Sequence, residues 1–305
     1  MKGKYWRQLR KDLYTDRWLY VFLLPTTVLV LVFYYLPYYG ISLAFKNYNG
    51  LTSILESPWV GLKYFKMVFA DPMIPRVFMN TVILGVLSLL FCFPAPILLA
   101  LCFNELKDGP FKKVSQTISY LPYFISTVIV VGMMKEFLSI DGVMNSMLRL
   151  FGIKAVNFMS SSASFRGIYI ISEVWQGVGW GSILYLAAIV AVSEEIYEAS
   201  IIDGATRLQR IRYITIPSIL PTISIQFILA VGGLLGASFE KIVLMYNPAT
   251  YATSDVLATY IYRNGLQNAN YSYGIAVGVL NSIISFALVY AANRTMKKLS
   301  GYSFW

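Results

Sequence analysis

The chain has 305 residues, 57% of them hydrophobic and only 13% charged, with a mean hydropathy of +0.60. Ordinary soluble domains carry about 25% charge, so that class is excluded, and the short alternating segments of a membrane β-barrel are not found. The net charge of +10 fits basic cytoplasmic loops better than a nucleic-acid partner, and with no histidine the protein has no imidazole for catalysis, metal ligation or pH sensing.

The first 17 residues are basic and an apolar run follows. That run is longer than a signal-peptide core and lacks a small-x-small cleavage site, which predicts an uncleaved first span. Runs long enough to cross roughly 30 Å of hydrocarbon predict six spans: Trp18–Tyr39, Phe78–Phe103, Ser115–Met134, Arg166–Val192, Tyr213–Ser238 and Tyr273–Asn293. The fold class is therefore an all-α polytopic membrane protein. Cys92 and Cys102 share the second run, a placement that suits small packing residues rather than a disulfide or metal site. Between the third and fourth runs, residues 139–165 hold an amphipathic piece, Val143–Leu150, which predicts a partly structured outer cap. Trp18, Tyr38, Tyr39, Trp59, Tyr271 and Tyr273 lie near span ends and read as an interfacial belt. No internal repeat is visible.

Placing the N-terminus inside puts most basic residues on inner segments, including Lys107, Lys112, Lys113, Arg207, Arg210, Arg212, Arg294, Lys297 and Lys298. Both termini are thus expected in the cytoplasm of a multi-pass cell-membrane protein. The expected division is a basic tail 1–17, a first span with its outer loop 18–77, a core 78–294 with a charged element at about 194–212, and a C-terminal tail 295–305.

That charged element is the oddest stretch. Residues 198–221 read EASIIDGATRLQRIRYITIPSILP; one predicted span ends just before them and the next begins inside them. Ser193 followed by Glu194 and Glu195 is a helix-start signal, by side-chain capping and by the helix dipole. Ile196, Ala199, Ile202 and Ala205 fall at a spacing of three, which predicts an apolar stripe on a short helix. Asp203-Gly204 then breaks it, since glycine accepts positive φ. Thr206–Tyr213 reads as a second helical piece, and Pro217 and Pro221 are expected to kink the fifth span. A helix lying on lipid would carry Lys or Arg on its polar face. This one begins with Glu194, Glu195 and Glu198, so a protein partner is the better reading.

Glu198-Ala199-Ser200, Asp203-Gly204-Ala205, Ile214, Ile216-Pro217 and Pro221 resemble the EAA motif of ABC-importer permease subunits. Ser200 stands for the motif's third Ala and Ile216 for its Leu. Leu24-Pro25, the run Tyr35–Ile41, Ala44-Phe45-Lys46, Tyr246-Asn247-Pro248 and the final Trp305 are similar to permeases for oligo- and polysaccharides that work with lipoprotein receptors. The resemblance covers nearly the whole chain. It implies a type I ABC-importer permease fold with six transmembrane helices and a cytoplasmic coupling helix. The coupling residues it implies are Glu198, Ala199, Ser200, Asp203, Gly204, Ala205, Arg207 and Pro217, which would dock on an ABC ATPase dimer. It further implies a second homologous permease paired as a heterodimer, an extracellular or lipoprotein solute-binding protein, a carbohydrate substrate and surrounding lipid, with no nucleic acid. The chain lacks G-x-x-x-x-G-K-[ST] and so has no P-loop for ATP. It is not expected to be an enzyme or to bind a cofactor or metal itself. ATP and Mg belong to the ATPase partners.

Tyr169, Glu173, Gln176 and Trp180 recur at helical offsets on the most polar span. A carboxylate facing lipid costs about 2.5–3.5 kcal/mol at the bilayer centre, so Glu173 is expected at the bundle interior, a cavity or the interface. Carboxylate and amide suit sugar hydroxyls, and aromatic rings suit the apolar sugar face. An equally open reading has Glu173 near the outer interface, capping or pairing. Trp175 lies off the stripe and reads as packing. Gln226, Asn281 and Ser285 are further pathway candidates, although such residues commonly hydrogen-bond between helices. Gly232, Gly233 and Gly236 allow close packing or a bend. The alternative function is an ion-coupled secondary transporter, which needs interior ionisable residues. Glu173 is the one clear candidate and no discontinuous-helix pair stands out. A membrane enzyme would need catalytic pairs, and none is found.

Overall fold

The computed structural model describes residues 11, 14–236 and 238–304. Most of the predicted basic tail, residues 1–10, 12 and 13, lies outside the described residues, as do Ala237 and Trp305. Among the described residues the structure is helical, with one isolated bridge between Lys46 and Trp59. Two compact units form, one from the N-terminal region through Phe69 with Asn264–Val279, the other from Ala70–Arg263 with Leu280–Trp305.

In the first unit, α1 (Arg17–Val30) continues through a π turn, Leu31–Tyr35, and a 3-10 stretch, Leu36–Phe45. The π turn has a local cause. Pro37 has no N–H, and its ring crowds the carbonyl four residues back. Widening the helix to the Leu36 N–H to Leu31 carbonyl bond accommodates it. Beyond the helix, Phe45 stacks on Trp59 at 5.4 Å and the Val60 N–H donates to the Phe45 carbonyl at 2.8 Å. The Ser272 hydroxyl donates to the Lys46 carbonyl at 2.6 Å and accepts from the Tyr48 N–H at 3.0 Å. The short α2 (Lys63–Ala70) ends this part of the chain.

The second unit opens with α3 (Ile74–Phe91) and α4 (Pro94–Glu105), which together form a 32-residue apolar rod. The third predicted span is broken. After α5 (Pro110–Tyr120) and a 3-10 turn through Phe124, the chain bends by 98° into α6 (Thr127–Phe137). The Ser126 side chain caps α6 by accepting from the Ile129 N–H. The expected structured piece between the third and fourth runs is present. α7 (Val143–Leu150) is held by buried Asn145, whose amide donates to the carbonyls of Ser139 and Val156 and accepts from the Val156 N–H.

The 29-residue α8 (Ser162–Val190) joins two buried clusters. One gathers Leu84, Val131, Phe165, Tyr169, Ile170, Ile242, Met245 and Val256; the other Ala100, Leu101, Tyr185, Ile189 and Ile219. In lipid such clusters hold helices by close packing rather than by the hydrophobic effect. Gly179 on α8 shows how close: a Cβ there would lie 1.8 Å from the Ser119 carbonyl oxygen.

The chain then turns 72° into α9 (Glu194–Ile202), passes Gly204 and enters α10 (Arg207–Gly232). The fifth span therefore starts at Arg207, and Thr206–Tyr213 is not a separate piece. A second π turn, Ile211–Thr215, lies immediately before Ile216-Pro217. Its cause repeats that in α1. After Gly232 the helix ends short of the predicted Ser238. α11 (Phe239–Met245), α12 (Tyr251–Ser254), α13 (Leu257–Ile261) and α14 (Tyr271–Ser300) complete the chain. Among the described residues, four helical rods are long and apolar enough to cross a membrane, or six spans if each bent pair is one.

Candidate functional site

Two regions of the second unit bring the predicted residues together. The first surrounds α9. Ser193 occupies the N-cap position but its side chain makes no capping bond, so the expected cap is absent and Glu194 and Glu195 favour the start through the dipole alone. The apolar stripe lies mostly at the surface. Ile196 is 49% and Ile202 87% exposed, Ala199 is exposed, and Ala205 is half-buried. Tyr197, whose phenol lies 2.9 Å from the Thr215 hydroxyl, turns toward α10, and buried Ser200 donates within the helix to the Tyr197 carbonyl at 2.7 Å. A tertiary bond to the π turn of α10 thus decides which face of α9 turns inward.

Gly204 does provide the turn. Its φ is +77°, a Cβ added there would have no neighbour within 4 Å among the described residues, and the Ala205 N–H donates to the Ser200 carbonyl at 2.9 Å. Thr206 and Gln209 form a capping box that starts α10, a T-x-x-Q signal present in the sequence and unread there. Exposed Arg207 stands 3.9 Å from Glu105 on α4. Asp203, Gly204, Ala205, Gln209, Arg210 and Tyr213 help line a pocket of about 260 Å³.

The second region is a pair of cavities of about 510 and 570 Å³ that share Glu173 and Ser238. Tyr169, Glu173, Trp180 and Gln226 line the first, and Glu173 and Gln176 the second. Asn281 and Ser285 line neither, and neither does Trp175, which is 45% exposed. Glu173 borders both cavities and is also paired. Lys241 Nζ lies 2.5 Å from its Oε1, and the Ser238 hydroxyl donates to its Oε2 at 3.2 Å. Tyr169 is only 1% exposed, and its phenol oxygen accepts from the Ser238 N–H at 3.2 Å.

The cavities exist because two helices are interrupted beside α8. At the bend between α5 and α6, the Gln176 amide donates to the freed Ile125 carbonyl at 3.0 Å, and Tyr123 stacks on Trp180 at 4.7 Å while Phe124 meets it edge-on at 5.7 Å. The gap between α10 and α11 supplies Ser238, and the first turn of α11 supplies Glu240 and Lys241. These discontinuities correct the expectation that none stands out. Interrupted helices leave polar backbone groups where a membrane protein needs them at a cavity. Sequence reasoning missed Tyr123, Phe124, Ser238 and Lys241. Pro122 and the cap-forming Ser126 signalled the first break.

A third polar cluster braces the segment that follows α11. Arg263 meets Asp255 at 2.5 Å, lies over Tyr251 at 4.8 Å, and Asp255 also accepts from Thr259 at 2.8 Å. The hydrogen bond to Asp255 raises the Arg263 guanidinium above its ordinary value despite burial, and burial raises the Tyr246 phenol. Neither group titrates near neutrality.

The chain matches known proteins over most of its length. Protein LplB of Bacillus subtilis (strain 168) is 39% identical over 298 residues, covering 97% of this chain and 93% of the relative. The polygalacturonan/rhamnogalacturonan transport system permease YteP of the same organism is 40% identical over 293 residues, covering 96% and 91%. Among solved structures, a chain of a bacterial ABC transporter that imports the acidic polysaccharide alginate superposes with a TM-score of 0.89 at 43% identity, covering 96% of this chain and 99% of that one. The alginate transporter bound to a periplasmic protein carrying an alginate pentasaccharide gives 0.89 at 42%, covering 97% and 99%. The family described as binding-protein-dependent transport system inner membrane component matches residues 67–298, and the chain belongs to that family.

Proposed function

We propose that this permease forms half of a carbohydrate pathway in an ATP-driven importer and that its cavities around Glu173 are the part that meets the sugar. The observation that carries this reading is the junction of both cavities at Glu173, with Gln176 and the Trp180–Tyr123 stack beside it. Carboxylate and amide oxygens accept hydrogen bonds from sugar hydroxyls, and stacked rings offer a flat apolar surface. Gln226 lines the same wall from α10. The names of the relatives, a polygalacturonan/rhamnogalacturonan permease and an alginate importer, support an oligo- or polysaccharide as substrate.

The remaining parts follow from the α9 region. Its exposed Ile196, Ile201 and Ile202 beside Glu194, Glu195 and Glu198 offer a mixed apolar and acidic face to a cytoplasmic ATPase dimer, which holds ATP and Mg. A second, homologous permease completes the pathway, and an external or lipoprotein solute-binding protein delivers the sugar. The Lys and Arg bias supports both termini and α9 in the cytoplasm. Coupling then has a physical route. α9 is tied to α10 by the Tyr197–Thr215 bond and to α8 by a three-residue elbow, Ala191–Ser193. α8 carries Glu173 and Trp180, and α10 carries Gln226. A push on α9 therefore shifts the cavity walls against each other.

The test is Gly204→Val in the full complex. A β-branched residue strains a φ of +77° yet meets no neighbour at its Cβ among the described residues. We expect loss of ATPase co-purification and of uptake, with the permease itself still folded. Unchanged complex yield and uptake would sink the coupling assignment.

A further inference from the structure

Glu173 holds its place through a residue far along the chain. Lys241 sits at the start of α11 with its side chain 3% exposed, and among the described residues Glu173 is its ion-pair partner. The neighbouring Glu240 is exposed and lines only the second cavity. Glu173 is 25% exposed at the side chain and borders both cavities. One of its oxygens faces the Lys241 ammonium and the other accepts from Ser238. A carboxylate has about four lone-pair sites, so these two bonds leave acceptor capacity toward the cavities.

We propose that Lys241 is the positioning residue for carbohydrate recognition: its ammonium holds the Glu173 side chain in place as a hydroxyl acceptor and clasps α8 to the segment that follows α10. This rests on reading the cavities as the carbohydrate path. A lone buried charge is strongly unfavourable, while neutralising both members of a buried pair is often tolerated. The clasp thus joins the two walls that a push on α9 moves, and Glu173 can turn toward a sugar only while Lys241 neutralises it. Arginine preserves the charge and methionine preserves only the apolar stem.

The experiment compares Lys241→Met, Lys241→Arg and the double variant Glu173→Gln/Lys241→Met in the assembled importer reconstituted in liposomes, using a labelled oligosaccharide that the intact importer takes up. Expected is a rise of about tenfold in uptake KM for Lys241→Met, with a smaller drop in maximal rate. Lys241→Arg should recover most of the affinity. The double variant should recover complex yield but keep the raised KM. If the double variant restores KM along with yield, the pair is only a structural tie and the proposal is overturned. Should Lys241→Met fail to assemble, the double variant still decides between these outcomes. Trp180→Ala and Gln226→Ala separate the two levels of the argument. If they raise KM while the Glu173 and Lys241 variants do not, only the clasp fails; if none of them does, the carbohydrate path itself is misplaced.

Discussion

Around α9 two side chains, Tyr197 and Ser200, turn toward the rest of the unit, while Ile196, Ile201 and Ile202 stand exposed. Around Glu173 the polar groups close on one another: Lys241 on Glu173, Ser238 on Glu173 and Tyr169, Gln176 on a broken helix. The first region is held locally and leaves its apolar surface for another molecule. The second is held by groups distant in sequence and leaves only a few acceptors and rings facing a cavity. A change in the first should therefore register in partner binding, and one in the second in folding or substrate affinity.

Gly179→Val should break the second region most severely. Its Cβ would sit 1.8 Å from a backbone oxygen, so α8 and α5 must separate, and overpacking of this kind costs about 1–3 kcal/mol or more. The expected result is a drop of at least about fivefold in the yield of folded permease, read by size-exclusion profile in detergent. An unchanged profile would mean that the packing of α8 on α5 is looser than the structure has it. Gly204, by contrast, meets no such backbone contact among the described residues, so the cost of its substitutions is local backbone strain and their main effect should fall on the partner.

Trp180→Ala comes next. It removes a stack on Tyr123 worth about 0.5–1.5 kcal/mol, and uptake KM should rise about three- to tenfold. Tyr123→Ala should give a similar rise and the double variant little more, because the two rings act as one surface. Additive effects in the cycle would show that the rings meet the sugar separately.

Tyr197→Phe tests how α9 is held. Losing one hydrogen bond to Thr215 costs about 0.5–1.5 kcal/mol, without disturbing the apolar surface that α9 exposes. Substrate-stimulated ATP hydrolysis should fall about three- to tenfold while the affinity for sugar stays put. A change in sugar affinity alone would place Tyr197 on the wrong side of the comparison.

The difference between the regions also explains what could be read from the sequence. Asp203-Gly204 announces its turn because the left-handed conformation is a property of one residue. The six apolar runs announce membrane helices for a similar reason, since bilayer thickness sets their length. The stripe Ile196, Ala199, Ile202 and Ala205 is legible as a periodicity, but the way it faces depends on the Tyr197–Thr215 bond, a tertiary contact that spacing does not encode. The bend at Ile125 hides in a continuous apolar run, although Pro122 and Ser126 mark it locally. Lys241 leaves no local sign at all: a lysine in a short apolar helix acquires meaning only when folding brings it to Glu173. The prolines of α10 are plain in the sequence, but the π turn that absorbs Pro217 depends on backbone geometry that composition does not encode.

The smallest effect is expected from an ion pair that looks much like the clasp. Lys112 lies 2.9 Å from Asp108, close to the 2.5 Å between Lys241 and Glu173. Asp108, however, is 96% exposed at the side chain, and water and salt screen the pair. The hydrogen bond from Lys112, then its charge, holds the Asp108 carboxyl below its ordinary value of 3.8. A depressed carboxylate contributes stability above that ordinary value and loses it as pH falls through the depressed one. Nothing attributable to this group should therefore change between pH 7 and pH 5. Asp108→Asn should leave the thermal midpoint at neutral pH where it was, and differ from the intact protein in its acid response, if at all, only below about pH 4. A clear loss of stability at pH 7 would mean that Asp108 has a partner beyond Lys112, and that the polar surface between α4 and α5 is organised more like the Glu173 region than like α9.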